Sequence, residues 1–383
     1  MKKTTNHIYL IIILSVLASV APMGIDTYLP SIPDIAKYLQ VNIHQIELSL
    51  SIFLIGFSVG QVFGGPISDH FGRRKSSLFG LLGYALFSFI IIFSSSVYEL
   101  WFYRFFEAFF GGIVVVNAAA AVRDRFHGEE AAKVFALMGM IRSLAPLVAP
   151  AIGAFIIHFY NWEAVFIFLT VYSLLVALLV YKDLEESFTY TKQNILESFK
   201  IVLFHKVAIK AMLVLGLSFG GFFMIISKAS FIYIEHFKIS TDYFPFFFGI
   251  NFIFLIAMIK INVNLLKKFT PIQLTKFAII IQIVVGIVFV LDYRNIDLIT
   301  TIILLATYMS MMAFIFGNCM ALALEHFQKN AGVASSVIGV LQFGLGAIIS
   351  SVVLSFHSET FLPIALGIAI ISLVSFMIMR TYK

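Results

Sequence analysis

Three ionisable residues, Asp26, Arg104 and Glu107, stand in segments that are otherwise strongly apolar. A charge near the centre of a bilayer costs about 2.5–3.5 kcal/mol on insertion scales, so an ionisable residue that persists there is a functional candidate. A carboxyl group in such a setting can bind and release a proton, and an arginine that approaches it favours the ionised form. The pattern therefore predicts proton exchange at Asp26, controlled by the distance to Arg104. The alternative is that Asp26 is only a structural partner of Arg104.

Glu107 follows Arg104 at a spacing of three residues, which lets the two side chains interact on one face of a helix. Two roles stay open for it. Glu107 is either a second acidic site, able to bind a proton or a cationic substrate, or the group that neutralises Arg104.

Two further basic residues, Arg142 and Lys228, also lie in apolar segments. Either they reach the membrane surface with their long side chains, as we expect for Lys260, or they face a substrate cavity. If both face the cavity, an anionic or zwitterionic substrate is favoured. The uncharged residues that we predict to contact a substrate are Tyr28, Asn117 and Gln342.

The composition of the whole chain is that of a membrane protein. Its 383 residues are 61% hydrophobic and 12% charged, which excludes an ordinary soluble domain. Runs long enough to cross a hydrocarbon core of about 30 Å recur throughout, so we predict an all-α membrane protein. The twelve predicted spans are 8–38, 44–69, 76–96, 98–122, 133–157, 162–182, 207–234, 242–266, 272–292, 296–324, 331–355 and 359–380.

The first of these runs follows Lys2 and Lys3 and could be taken for a signal peptide. Pro22 would directly follow the cleavage site, which disfavours cleavage, and the apolar character continues beyond it. We therefore expect residues 8–38 to remain as the first membrane helix.

Basic residues are distributed unevenly between the two sides of the predicted membrane. With the N-terminus in the cytoplasm, 19 of the 26 Lys and Arg lie on the cytoplasmic side, as the positive-inside rule requires. We expect a multi-pass protein of the cell inner membrane with both termini in the cytoplasm. The net charge of +6 follows from this topology and indicates no nucleic-acid partner.

The spans divide into two sets of six around the most polar segment of the chain. We predict an N-terminal six-helix half over residues 1–182, a cytoplasmic linker over 183–206 that includes a surface helix, and a C-terminal six-helix half over 207–383. Two such halves are typical of the parallel repeats of transporters.

The most specific local pattern is GGPISDHFGRRKSS, residues 64–77. It matches the signature G-x-x-x-D-x-x-G-[RK]-[RK] of the major facilitator superfamily, and on this basis the chain resembles that superfamily. Glycines permit a tight turn and close helix approach, and the aspartate can face a helix N-terminus or a basic partner. The matching residues are Gly65, Asp69, Gly72, Arg73 and Arg74.

Further segments resemble the drug and proton antiporter branch of that superfamily, in particular the bicyclomycin and chloramphenicol resistance group. Glu107 stands where that group usually has Gln, and Ala229 where Pro is common, which leaves the substrate open. The segments are IDTYLPSIPDIA, RFFEAFFGG, AVRDRF, APLVAPAIGA and AGVASSVIGVLQFGLGA.

The resemblance implies how several residues act. It implies that helices 1 and 4 line a central cavity. It also implies that Asp69 and Arg73 form a gate that latches when the cavity opens outward, together with the residues at the cytoplasmic end of helix 4, namely Arg123, Asp124 and Arg125. In the fifth span it implies a helix that sets the antiport direction and closes the cavity, through Pro146, Pro150 and Gly153.

The function that we expect is proton-coupled efflux of drugs or other small molecules by alternating access. The alternative is a dedicated permease or exporter of one metabolite, such as an amino acid, a nucleoside or a metal-chelating compound. The expected partners are a small-molecule substrate, protons and the lipid bilayer, with no nucleic acid, and the protein is expected to be a monomer.

A membrane enzyme or a sensor scaffold is a third class of function. It would require a nucleophile motif, a metal-spaced histidine cluster or an extra soluble domain, and the sequence shows none of these. The nine histidines are scattered, and Cys319 is alone, so neither a disulfide nor a cysteine-based metal site is expected. We therefore predict that the chain is not an enzyme and uses no metal or cofactor, with the proton as its coupling ion.

Overall fold

The structure is a computed structural model that describes residues 7–126, 128–186, 195–327, 331–356 and 360–382. These residues are almost entirely helical, which confirms the predicted all-α fold. The α-helices are α1 (His7–Ala18), α2 (Val20–Asp26), α3 (Ile32–Leu39), α4 (Ile43–Phe71), α5 (Arg73–Ile91), α6 (Val97–Arg125), α7 (Gly128–Phe159), α8 (Glu163–Asp183), α9 (Ile195–Leu203), α10 (Ala208–Ser230), α11 (Phe244–Leu265), α12 (Pro271–Asp292), α13 (Leu298–Ser310), α14 (Met312–Leu324), α15 (Ala331–Ser355) and α16 (Leu362–Arg380).

Within the described residues, nine helices are long and apolar enough to cross a membrane, and the bent pair at the start of the chain gives a tenth. The other two predicted spans correspond to α5 and α7. Helix α5 begins with the basic run from Arg73 to Lys75, which lowers its mean hydropathy, and α7 contributes a shorter apolar stretch, Ala145–Phe159. Each of the twelve predicted spans thus has a helical counterpart.

The first span is broken rather than continuous. Residues Tyr9–Ala18 and Val20–Leu39 are inclined to each other by 44°. Pro22 explains the break, because a proline ring clashes with the carbonyl four residues earlier, here that of Ala18. The sequence alone suggests a bend nearer the outer end, at Pro30 and Pro33. The structure has only a short 3₁₀ turn there, Leu29–Ser31, so that expectation is corrected.

The chain forms two compact units, Met1–Lys192 and Gln193–Lys383. In the first unit α6 packs along α4 and α5, and α5 also packs along α8. In the second unit α10 packs along α15, and α12 packs along α16. A buried apolar cluster fills the second unit around Met212, Leu215 and Phe314, and it includes the free thiol of Cys319.

The approach of α4 to α6 depends on glycines at a spacing of four residues. A Cβ atom on Gly56 would lie 2.1 Å from the carbonyl oxygen of Phe105, and one on Gly60 would lie 2.0 Å from that of Phe109. Small residues at this spacing allow membrane helices to pack with their backbones in contact. A Cβ atom on Gly65, by contrast, would meet nothing within 4 Å. The close helix approach that the signature suggested therefore occurs at the neighbouring Gly64, whose Cβ atom would lie 2.9 Å from Cα of Ile113, and farther back along α4 at Gly60 and Gly56, but not at Gly65 itself.

This packing makes a prediction for two alanine variants of the same helix. We expect Gly60→Ala to destabilise the protein by about 1–3 kcal/mol, because the new methyl group has to push α4 away from α6. Gly65→Ala is the matched control and should melt at or above the wild-type temperature, since its methyl group meets open space. Thermal unfolding of the purified variants in detergent measures this, and equal melting temperatures would contradict the packing described.

Candidate functional site

Asp26 is the last residue of α2 and is almost completely buried, with 3% of its surface exposed. Within the described part of the chain its carboxylate has no hydrogen bond and no ion pair. Helix α7 lies close by, because a Cβ atom on Gly153 would sit 2.1 Å from the carbonyl oxygen of Thr27. Gly153 therefore packs closely against the backbone of the residue that follows Asp26.

Arg104 is fully buried and pairs with Glu107 rather than with Asp26. Its Nη1 atom donates to Glu107 Oε2 at 2.6 Å, and its two Nη atoms donate to the carbonyl oxygen of Gly24 at 3.2 and 3.3 Å. Ser88 Oγ donates to the other carboxylate oxygen of Glu107 at 2.7 Å. The predicted pairing of Arg104 with Asp26 is absent from this conformation, because a carboxylate one turn along the same helix is the nearer partner.

Aromatic rings surround the guanidinium of Arg104. Its Cζ atom lies 4.5 Å from the ring centroid of Tyr28, 4.3 Å from that of Phe53 and 5.9 Å from that of Phe166. The faces of such rings attract a cation, and the attraction is larger when water is excluded. Tyr28 is itself fixed by a hydrogen bond of 2.9 Å between its hydroxyl and Ser49 Oγ. Tyr28 therefore contributes to holding Arg104 in place.

Sequence reasoning missed a second buried ionisable pair, His44 and Glu47, in the first turns of α4. Their Nδ1 and Oε2 atoms are 3.0 Å apart, and both side chains are buried. The spacing of three residues between His44 and Glu47, inside an apolar run, is the sequence feature that could have revealed this pair. Because the nine histidines are scattered along the sequence, the pairing of one of them with Glu47 was not recognised.

The signature segment forms a cluster of ion pairs where α4 meets α5. Arg73 donates to Asp69 Oδ1 at 2.5 Å, to Ser68 Oγ at 2.6 Å and to Asp124 Oδ2 at 2.8 Å. The preceding Gly72 has a φ angle of +93°, a conformation that favours glycine. The basic partner predicted for Asp69 is thus Arg73, and within the first unit the predicted contact of Arg73 with Asp124 is formed.

The other residues that we predicted to contact a substrate lie in both units of the chain. Asn117 is buried, and both polar atoms of its amide are without a hydrogen-bond partner in the described structure. Lys228 is buried in the second unit, with Nζ 4.8 Å from the ring centroid of Phe231. The π-helical turn Phe231–His236 follows it directly. Gln342 is also a buried residue of the second unit.

The remaining predicted site residues belong to α6 and α7. Pro146 and Pro150 lie inside α7, as expected of the antiporter-like segment. The side chains of Arg123 and Arg142 lie outside the described residues. Among the residues that are described, no group of three or more His, Cys, Asp or Glu could hold a metal ion.

Comparison with known proteins places the chain in a family. The model of the Major Facilitator Superfamily matches residues 14–351. A bicyclomycin resistance protein homolog of Haemophilus influenzae is 32% identical over 95% of this chain and 93% of its own length. The multidrug resistance protein MdtL of Klebsiella pneumoniae is 27% identical over 84% of this chain and 82% of its own length.

Solved structures support the same fold. The crystal structure of a D-xylose-proton symporter superposes with a TM-score of 0.75 over 98% of both chains, although only 16% of residues are identical. At that identity the likeness concerns the fold alone. The family match, the resistance-protein relatives and the helical architecture agree, and the chain belongs to the Major Facilitator Superfamily, whose members are multi-pass membrane transporters.

Proposed function

We propose that this protein is a proton-coupled antiporter that exports drugs or other small amphipathic molecules by alternating access. The observation that carries the proposal is the buried Asp26 carboxyl, which has no counter-ion among the described residues while a buried arginine is held by a different carboxylate. An intramembrane acid of this kind is a candidate proton site. The printed names of the relatives favour drug efflux over a dedicated metabolite permease.

The mechanism uses the change of partner of Arg104. In the described conformation Glu107, Gly24 and the aromatic rings hold the guanidinium, and Asp26 is free to carry a proton. In a second conformation the guanidinium turns towards Asp26, which favours the ionised carboxylate and expels the proton. A membrane potential of about 100 mV supplies about 2.3 kcal/mol for each proton that moves inward, and this drives the exchange.

Topology and assembly are part of the same proposal. The excess of Lys and Arg in one set of loops supports cytoplasmic termini and location in a bacterial inner membrane. The protein works as a monomer on a small-molecule substrate, requires no metal or organic cofactor, and is not an enzyme. The gate formed by Asp69, Arg73 and Asp124 belongs to the cytoplasmic side in this orientation.

Replacement of the proposed proton site tests the function directly. Asp26→Asn should reduce proton-coupled efflux to the level of membranes without the protein, because an amide cannot exchange the coupled proton. Everted vesicles with a pH-sensitive dye, challenged with bicyclomycin or chloramphenicol, report the proton movement. Asp34→Asn is the matched control, since Asp34 lies nearby on α3 but is partly exposed and paired with Lys37. Retained drug-driven proton movement in Asp26→Asn would exclude Asp26 as the coupling site.

The role of Glu107 is tested separately through stability. If Glu107 neutralises Arg104, Arg104→Met and Glu107→Met should each cost about 3–5 kcal/mol, because each leaves one buried charge without its partner. The double variant should lose much less than the sum, because both charges are then gone. Melting of the three variants in detergent gives the comparison. Additive losses would show that the two side chains do not stabilise each other.

A further inference from the structure

The residues that follow α8 lie against the turn between α4 and α5. We call residues 181–186 the strap. Arg74 donates from its guanidinium to the carbonyl oxygen of Tyr181 and lies over that ring, with Cζ 5.0 Å from the centroid. At the other end of the strap, Arg125 donates to the carbonyl oxygen of Glu185. The first residues of the predicted linker are therefore docked on the first unit.

Glu186 completes the strap by capping α5. Its Oε1 atom accepts from the backbone N–H of Arg74 at 3.1 Å, and its Oε2 atom accepts from that of Lys75 at 3.4 Å. The first N–H groups of a helix have no partner within the helix, and a carboxylate is favoured there by the helix dipole. The residue before α5 is Gly72, which has no side chain to do this. The cap thus comes from a residue 112 positions away.

The carboxylate also occupies the space beside the Gly72 turn. A Cβ atom on Gly72 would lie 2.5 Å from Cδ of Glu186, so a side chain at this position would displace the carboxylate, and the φ angle of +93° also favours glycine. The next residue, Arg73, bridges Asp69 and Asp124. The conformation that Glu186 stabilises is therefore the one that presents Arg73 to both carboxylates.

Helix α6 connects the strap to the same cluster, because Asp124 binds Arg73 and the adjacent Arg125 binds the strap. Burial lowers the pKa of Arg125, and the carboxylates of Glu185, Asp124 and Glu186 act against that shift. The strap, the end of α6 and the start of α5 thus form one connected set of polar contacts.

We propose that Glu186 is a positioning residue for the transport cycle. It holds the Gly72 turn so that Arg73 engages Asp69 and Asp124, and its release frees Arg73 from that arrangement. The role in transport rests on the proposed function, whereas the capping role does not.

Hydrogen exchange measured by mass spectrometry on the purified protein in lipid nanodiscs tests the positioning role. In Glu186→Ala the backbone amides at the start of α5 should exchange about tenfold faster, as expected for a lost helix cap. Exchange in residues 121–126 should also rise, because Arg73 and Asp124 lose their fixed arrangement. Glu185→Ala is the matched control, since it also removes a carboxylate near Arg125 but leaves the cap intact. Both changes are at the surface, so both variants should fold.

Unchanged exchange at the start of α5, or at residues 121–126, in Glu186→Ala would overturn the positioning role. In efflux assays with chloramphenicol the same variant should show a lower maximal rate with an unchanged half-saturating concentration, because the strap is remote from Asp26. A wild-type maximal rate would overturn its part in the transport cycle. If the wild-type protein moves no drug, the proposed function fails, while the exchange comparison still decides whether Glu186 positions Arg73.

Discussion

The buried charge of Arg104 is the constraint on which the first unit depends. A guanidinium cannot be left without partners in a low-dielectric interior, because the desolvation penalty amounts to several kcal/mol. The structure meets this cost with Glu107, with the carbonyl oxygen of Gly24 and with three aromatic rings. These contacts come from different elements and fix how α2, α4, α6 and α8 pack around one charge.

The break in the first span orients the segment that binds Arg104. The carbonyl oxygen of Gly24 faces Arg104, and the bend before Val20 sets the direction of the α2 segment that carries it. The same segment places Asp26 at its end, buried and close to the glycine-lined approach of α7. The carboxyl group proposed to carry the proton and the guanidinium proposed to expel it are thus both buried in one packed region.

The contacts that could be predicted from spacing are those between residues close together in the sequence. The spacing of Arg104 and Glu107 predicted their interaction, and the signature predicted either a basic partner or a helix N-terminus for Asp69. Contacts between distant segments could not be predicted from spacing, because spacing carries no information about which helices meet, and the contact of Arg73 with Asp124 was expected only from the family resemblance. The competition between Glu107 and Asp26 for Arg104 is one example, and the cap that Glu186 supplies to α5 is another.

In the proposed mechanism Asp26, and not Glu107, exchanges the coupled proton. Infrared difference spectroscopy of the protein in lipid, between acidic and alkaline pH, records the carbonyl stretch of a protonated buried carboxyl group. We expect this band to be present in the wild type and in Glu107→Gln and to be lost in Asp26→Asn. A band that survives in Asp26→Asn and disappears in Glu107→Gln would assign the proton to Glu107 and contradict the mechanism.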